Sequence, residues 1–263
     1  LPPREANVPN DRPRADRLPR GGGAGAAEVR FRMSDRTSEP RLVSAGRTGT
    51  GRHFIDSEAT HLRFVIIGAG RLGASLAIAL RALGATLLGY TADSDAGRAR
   101  AEGWLGGRAA AGLSELVSAR PHLFVVAVPD QALPRVAQDL AAAIAGASVI
   151  SDRPFVAHTS GATSVAVLGP CEEAGAAAFV FHPLQTFSDP VTGATRFAGA
   201  AIAITPESPR PDSPSRALGF SLARALGGRP FFLPDEKRGL YHAAASFACN
   251  FFVTLEHHAE HMF

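Results

Sequence analysis

Arg63-Phe64-Val65-Ile66-Ile67-Gly68-Ala69-Gly70-Arg71-Leu72-Gly73 decides the fold. Four apolar residues in a row read as a strand buried on both faces. Leu72–Leu83, rich in Ala and Leu, reads as a helix, and Ala85–Tyr90 reads as a second strand. The G-x-G-x-x-G turn lies where the first strand meets the helix. Gly68 makes the tight turn, Gly70 lets a pyrophosphate approach the backbone, and Gly73 lets helix and strand pack closely. Arg71 and Leu72 open the helix, whose N-terminus faces the anion. The expected ligand is NADP or NAD. Thr91, Asp93 and Ser94 follow the second strand, where an acid would hold a ribose 2′-hydroxyl and hydroxyls would hold a 2′-phosphate. Both options stay open on these residues.

Further strands are expected at Leu123–Val128, Phe155–His158, Ala177–Phe181, Ala200–Thr205 and Pro230–Leu233. Helices are expected at 96–102, 112–119, 132–145 and 213–226. Apolar strands alternating with helices predict a parallel sheet covered on both faces. Lys237 to the end reads as one long helix. Residues 1–60, rich in Arg, Pro and Gly, read as a disordered basic tail.

Composition narrows the function. Residues 1–60 hold eleven arginines against eight acids, while residues 61–263 balance at sixteen of each. The basic character therefore belongs to the tail, and the folded part gives no reason to expect nucleic acid. No apolar run is long enough for a membrane span. Lys237 is the only lysine, which excludes a G-x-x-x-x-G-K-[ST] phosphate loop and a Tyr-x-x-x-Lys dehydrogenase. Two cysteines, Cys171 and Cys249, read as small core residues in a reducing cytoplasm. No metal site is expected. His257-His258-Ala259-Glu260-His261 matches H-x-x-E-H formally but reads as a solvated helix end.

In open α/β sheets ligands lie outside the carboxyl ends of the strands. Val128-Pro129-Asp130, His158-Thr159-Ser160-Gly161 and His182-Pro183-Leu184 all fall there. A histidine at such an edge is a candidate acid/base. On the last helix His242, Ser246 and Asn250 share one face. Leu240, Ala244, Phe247, Phe251 and Leu255 form the opposing stripe, expected to be core.

From Phe64 to Asn250 the motifs resemble the Rossmann-like proteins that carry the domain of unknown function 2520. The matching stretches are Gly68–Gly73, Ala127–Asp130, His158–Ala162, His182–Phe187 and Tyr241–Ala245 with Asn250. The layout is also similar to the superfamily of 6-phosphogluconate and β-hydroxyacid dehydrogenases, ketopantoate reductase, pyrroline-5-carboxylate reductase and prephenate dehydrogenase. The resemblance implies an α/β fold: a Rossmann-like doubly wound sheet over 61–234, then the start of an all-α domain over 235–263, which reads as truncated. It implies an NAD(P)-dependent oxidoreductase acting on a small carboxylate-bearing metabolite. His182 would be its acid/base, with Ser160, His242 and Asn250 orienting the substrate and Val128 and Pro129 beside the nicotinamide. A non-catalytic dinucleotide-binding or sensor protein is the alternative. An exposed apolar stripe on a lone helix predicts a homodimer through the C-terminal region.

Overall fold

The computed structural model describes residues 61–147 and 153–262. The expected tail at 1–60 lies outside the described residues. Seven strands form one sheet: β1 (Arg63–Ile67), β2 (Thr86–Thr91), β3 (Leu123–Val126), β4 (Phe155–His158), β5 (Ala177–Pro183), β6 (Ala201–Pro206) and β7 (Arg229–Phe232). Their order is β2-β1-β3-β4-β5-β6-β7. The first five run parallel, β6 is antiparallel to β5, and β7 is parallel to β6.

The sheet is parallel as expected except for the reversal at β6. A parallel return needs a crossover, usually a long helix. Between β5 and β6 the chain offers only α6 (Pro190–Gly193). That single turn packs tightly on the first helix, α1 (Arg71–Ala82), where a side chain on Gly193 would overlap Ser75. The chain then re-enters the sheet beside β5 in the opposite direction.

Each face of the sheet carries its own core because strand side chains alternate. Phe64 and Ile66 of β1 pack with Leu76 and Leu80 of α1 and with Leu218 and Leu222 of α7 (Pro214–Ala225). Val65 and Ile67 face the other way. They join Leu116 of α3 (Leu113–Ser118), Leu133 and Leu140 of α4 (Leu133–Ala145) and Cys171 of α5 (Gly169–Glu173). Cys171 is therefore core, as expected, but Cys249 is exposed. Helix α2 (Asp95–Leu105) flanks the β2 edge.

The last segment runs as α8 (Arg238–Ser246), a wider π-type turn at Phe247–Phe251, and α9 (Phe252–Glu260). The stripe expected to be core is not. Leu240, Phe247, Phe251 and Leu255 are more than half exposed, because no described element packs over them. Phe247 and Phe251 stack on each other instead, with ring centroids 4.5 Å apart. Among the described residues no helix is long and apolar enough to cross a membrane.

The glycine turn makes two opposite predictions. A methyl at Gly73 would overlap the Gly68 carbonyl oxygen and press on Ile66, whereas one at Gly70 meets nothing within 4 Å. Gly73→Ala should cost about 1–3 kcal/mol by overpacking, and Gly70→Ala should be close to neutral. Thermal unfolding of the two variants reads this directly; equal melting temperatures would contradict the packing described.

Candidate functional site

Sheet order places the site. β1 is joined to β2 on one side and β3 on the other, so the chain switches direction at the β1–β3 crevice. Gly68 leaves β1 with φ +93°, in the left-handed region that favours glycine. A side chain there would strike Ala127 O at 2.7 Å and Val128 Cγ1 at 2.8 Å, so the turn after β1 and the loop after β3 lie against each other. Thr91 staples the turn to β2: its carbonyl oxygen accepts from Gly68 N (3.2 Å) and Ala69 N (2.7 Å), and its Oγ1 accepts from Gly68 N (3.3 Å). The N-terminus of α1 has neither a side-chain cap nor an acid in its first turn, which leaves its amides available to an anion. Open space above Gly70 and free amides fit a pyrophosphate.

The ribose end is less open than the sequence suggested. Ser94 is the N-cap of α2 and accepts from Gly97 N at 3.1 Å. Arg98 donates to Ala92 O at 3.3 Å and pairs with Asp95. Asp93 is exposed. Arg71 is exposed at the start of α1, and Leu72 is half-buried behind it.

The second half of the site is built around a buried cation. Arg238, at the start of α8, is 1% exposed. Its Nε donates to Thr163 O (2.8 Å), Nη1 to Thr205 Oγ1 (3.0 Å), and Nη2 to Gly161 O (3.0 Å) and to Ser160 O. None of the ion pairs among the described residues includes it. Asp235 ties the same loop one step further on, accepting from Val165 N at 2.9 Å and from the Ser164 hydroxyl. The loop after β4 is thus clamped from both sides.

His158 lies fully buried beneath this clamp. Ser160 N donates to its Nδ1 (3.2 Å), so its ring hydrogen sits on Nε2, facing Ser164 O (3.3 Å). Burial, reinforced by the Arg238 charge, holds its pKa at about 4. Ser160, expected to face a substrate, turns its hydroxyl inward. It accepts from Ala162 N (3.3 Å) and Thr163 N (3.0 Å) and donates to Thr163 Oγ1 (3.0 Å).

His182 and His242 converge on Gly161. A methyl there would sit 2.7 Å from His242 Nδ1 and 2.8 Å from His182 Nε2. Both nitrogens therefore lie against the Gly161 α-carbon at the carboxyl edge of β4 and β5. The opposite nitrogen of His182, Nδ1, is 2.9 Å from the Tyr241 hydroxyl, and the two rings meet edge to face. Burial first, then the positive charge of Arg238 and His242, lowers the His182 pKa to about 4; Asp130 opposes the shift. Burial likewise pushes the Tyr241 phenol up to about 12. The structure thus joins a neutral imidazole to a neutral phenol.

Of the residues predicted from sequence, Gly68, Gly70, Gly73, Val128 and Pro129 gather at the first crevice, and His182, His242 and Ser160 at the second. The Asn250 side chain lies outside the described residues. Arg238, Tyr241 and Asp235 were missed. Tyr241 stood in a matching stretch with no role of its own, and nothing local marks Asp235 as a loop anchor. Arg238 was one arginine among twenty-six, and nothing local marks it as buried. Among the described residues no group of three or more His, Cys, Asp or Glu side chains is placed to hold a metal ion.

Comparison with known proteins agrees with this architecture. Residues 47–183 match the model of the Rossmann-like domain, and residues 208–263 match the domain of unknown function 2520. This chain belongs to the Rossmann-like family. No curated protein matches the sequence. Among solved structures, a Bacteroides fragilis protein described as an NADP oxidoreductase superposes with a TM-score of 0.61 at 24% identity, over 78% of this chain and 73% of that one. Prephenate dehydrogenase from Aquifex aeolicus, in complex with hydroxyphenyl propionate and NAD+, gives 0.55 at 16%, over 67% and 61%. Pyrroline-5-carboxylate reductase from Coxiella burnetii gives 0.52 at 16%, over 74% and 67%. At these identities the likeness is one of fold.

His158 makes the protein acid-labile in a defined window. Its pKa of about 4 lies below the ordinary 6.5, so the unfolded chain binds the extra proton between those values and stability falls as pH drops through them. The loss attributable to this ring should approach about 3 kcal/mol at pH 4. Urea unfolding of wild type and His158→Gln at pH 7 and 4.5 checks it. The variant should be less stable at pH 7 but lose less on acidification; parallel losses would contradict the assignment.

Proposed function

We propose that this protein is an NAD(P)-dependent oxidoreductase that moves a hydride to or from a small carboxylate-bearing metabolite of the hydroxy acid, keto acid or imine type. One observation carries the reading: the glycine crevice and the His182–Gly161–His242 centre open on the same carboxyl edge of the sheet. Hydride transfer needs a dinucleotide and a polar group at the reacting oxygen or nitrogen, side by side. The solved structures of similar fold support it, since their descriptions name NADP, NAD+, a dehydrogenase and a reductase.

The dinucleotide supplies or accepts the hydride. Gly70 gives its pyrophosphate room against the amides of Arg71 and Leu72, on a turn that Gly68 and Gly73 make possible, and Val128 and Pro129 border the nicotinamide end. Tyr241 donates to Nδ1 of His182, which leaves the ring hydrogen on Nε2. That N–H donates to the substrate oxygen or nitrogen and stabilises the charge that gathers there, while the proton that completes a reduction, or leaves in an oxidation, is exchanged with solvent. A neutral imidazole suits such a donor role, because it can polarise a carbonyl without first giving up a full proton. His242 turns Nδ1 to the same volume and orients the substrate. Ser160 acts behind them, by holding the turn that presents Gly161. We assign Asn250, in the π-type turn after α8, as a further orienting group. Asp93 at the ribose end suits NAD, and Arg98, once released from Asp95, suits the 2′-phosphate of NADP.

The inward-turned Ser160 hydroxyl favours a second reading, a dinucleotide-binding sensor without turnover. Two variants separate them. In the enzyme, His182→Ala should lower kcat by about 100-fold or more with cofactor affinity kept, while Gly70→Asp should abolish binding of NADH and NADPH. His182 should add no inflection to the wild-type kcat/KM near pH 6.5, where an ordinary histidine titrates; its own inflection should lie toward pH 4, where it takes a proton. Binding that survives with no hydride exchange on any hydroxy acid, keto acid or cyclic imine would leave the sensor.

The bare face of α8 and α9 is where we place a second copy of the chain. Phe247, Phe252 and Leu255 are each more than 60% exposed, and pairing one helix face with itself satisfies them by two-fold symmetry. Light scattering should give twice the 27.4 kDa chain mass, and Phe252→Glu should halve it. A monomeric wild type would refute the pairing.

A further inference from the structure

We propose that Arg238 is the positioning residue of the His182 centre: its sealed guanidinium holds Gly161 against the two imidazole edges and sets a permanent positive charge behind the reacting groups. The geometry is specific. Among the described residues, the carbonyl oxygens of Ser160 and Gly161 accept only from Arg238. Four of the loop's amides are tied elsewhere. Thr159 N donates to Val126 O at 3.2 Å, Ser160 N to His158, and Ala162 N and Thr163 N to Ser160 Oγ. The carbonyl ends of the two peptides that flank the Gly161 α-carbon therefore depend on this one side chain. Gly161 is also where both histidine edges converge, so a shift of the peptide is a shift of the floor of the site.

The fork requires arginine. One guanidinium reaches three carbonyl oxygens and a hydroxyl on two separate elements, the β4 loop and β6. An ammonium has three donors on one atom and cannot span them. Thr205 completes the anchor by passing its own hydroxyl hydrogen to Leu233 O at 2.6 Å.

The charge acts as well as the geometry. His182 is faced by Arg238, Tyr241 and His242 from α8 and by Asp130 from the loop after β3. Arg238 is the largest of the charges named, second only to burial in keeping the imidazole neutral. Through it the start of α8 is coupled to the donor state of a group two strands away.

The inference uses the hydride-transfer reading only where turnover is measured; its other readout is independent of activity. The experiment is a ¹³C,¹⁵N-histidine NMR titration of the full chain as wild type, Arg238→Lys and Arg238→Met, with turnover followed in parallel. Arg238→Met should raise the His182 midpoint by about 1 pH unit and lower kcat at least tenfold, with the cofactor KM within about twofold of wild type. Arg238→Lys keeps the charge but not the fork. It should leave the His182 midpoint near its wild-type value, speed amide exchange at Ala162 and Thr163, and recover only part of kcat. A folded Arg238→Met with an unchanged His182 midpoint would overturn the electrostatic half. Wild-type exchange and turnover in Arg238→Lys would overturn the positional half. Should Arg238→Met fail to fold, Arg238→Gln, which removes the charge but keeps a donor, decides the electrostatic half by the midpoint, and Arg238→Lys with Thr205→Val, which removes one acceptor and no charge, decides the positional half by exchange. A wild type with no hydride exchange but the predicted NMR shifts would sink the enzyme reading and leave this inference standing.

Discussion

A guanidinium sealed inside a protein without an ion pair is expensive unless its donors are matched by acceptors. Arg238 meets that condition with four oxygens, three of them main-chain carbonyls of a single loop. The loop after β4 takes its shape from this contact and from the Asp235 carboxylate beside it. Its shape puts Gly161 at the centre of the carboxyl edge. His158, buried under the same charge, can only be neutral there, and its two nitrogens then serve as one acceptor and one donor for the loop.

The two halves of the site have different physical origins. The glycine crevice arises locally, from a strand, a turn and a helix close in sequence. It rests on the steric freedom of Gly68 and the tight packing at Gly73, with Thr91 of β2 stapling the turn. The histidine centre arises from long-range assembly. It brings together the end of β4, the end of β5 and a helix reached only after β6 and β7. The reversal at β6 contributes to this: β6 sits beside β5 with Thr205 across from Val180, within reach of Arg238. Without that strand the fork of Arg238 would lose its anchor outside the loop.

This difference explains what could be read in the sequence. β1, the glycine turn, α1 and β2 were legible because apolar period and glycine spacing are local signals. The histidines at the ends of β4 and β5 were legible by position alone. Their chemistry was not. An imidazole reads as a neutral-pH acid/base until burial and a neighbouring cation are known, and here both press His182 toward the neutral donor. Ser160 looked free because sequence cannot show that Ala162 N and Thr163 N already use its oxygen. Arg238 was hidden since an arginine opening a helix usually lies in solvent. The stripe of Leu240, Phe247, Phe251 and Leu255 was read correctly as one face but wrongly as core, because periodicity tells which residues share a side and not what covers it.

The central claim is that both halves form one site at the carboxyl edge, with Arg238 holding the second half in register with the first. Hydrogen–deuterium exchange of the full chain, with and without NADPH or NADH, tests it most directly. The account predicts slow exchange at 162–163 in the free protein, and added protection at 69–73 and 128–131 that extends to 160–163 when the dinucleotide binds. Fast exchange at 162–163, or protection confined to residues away from that edge, would contradict it.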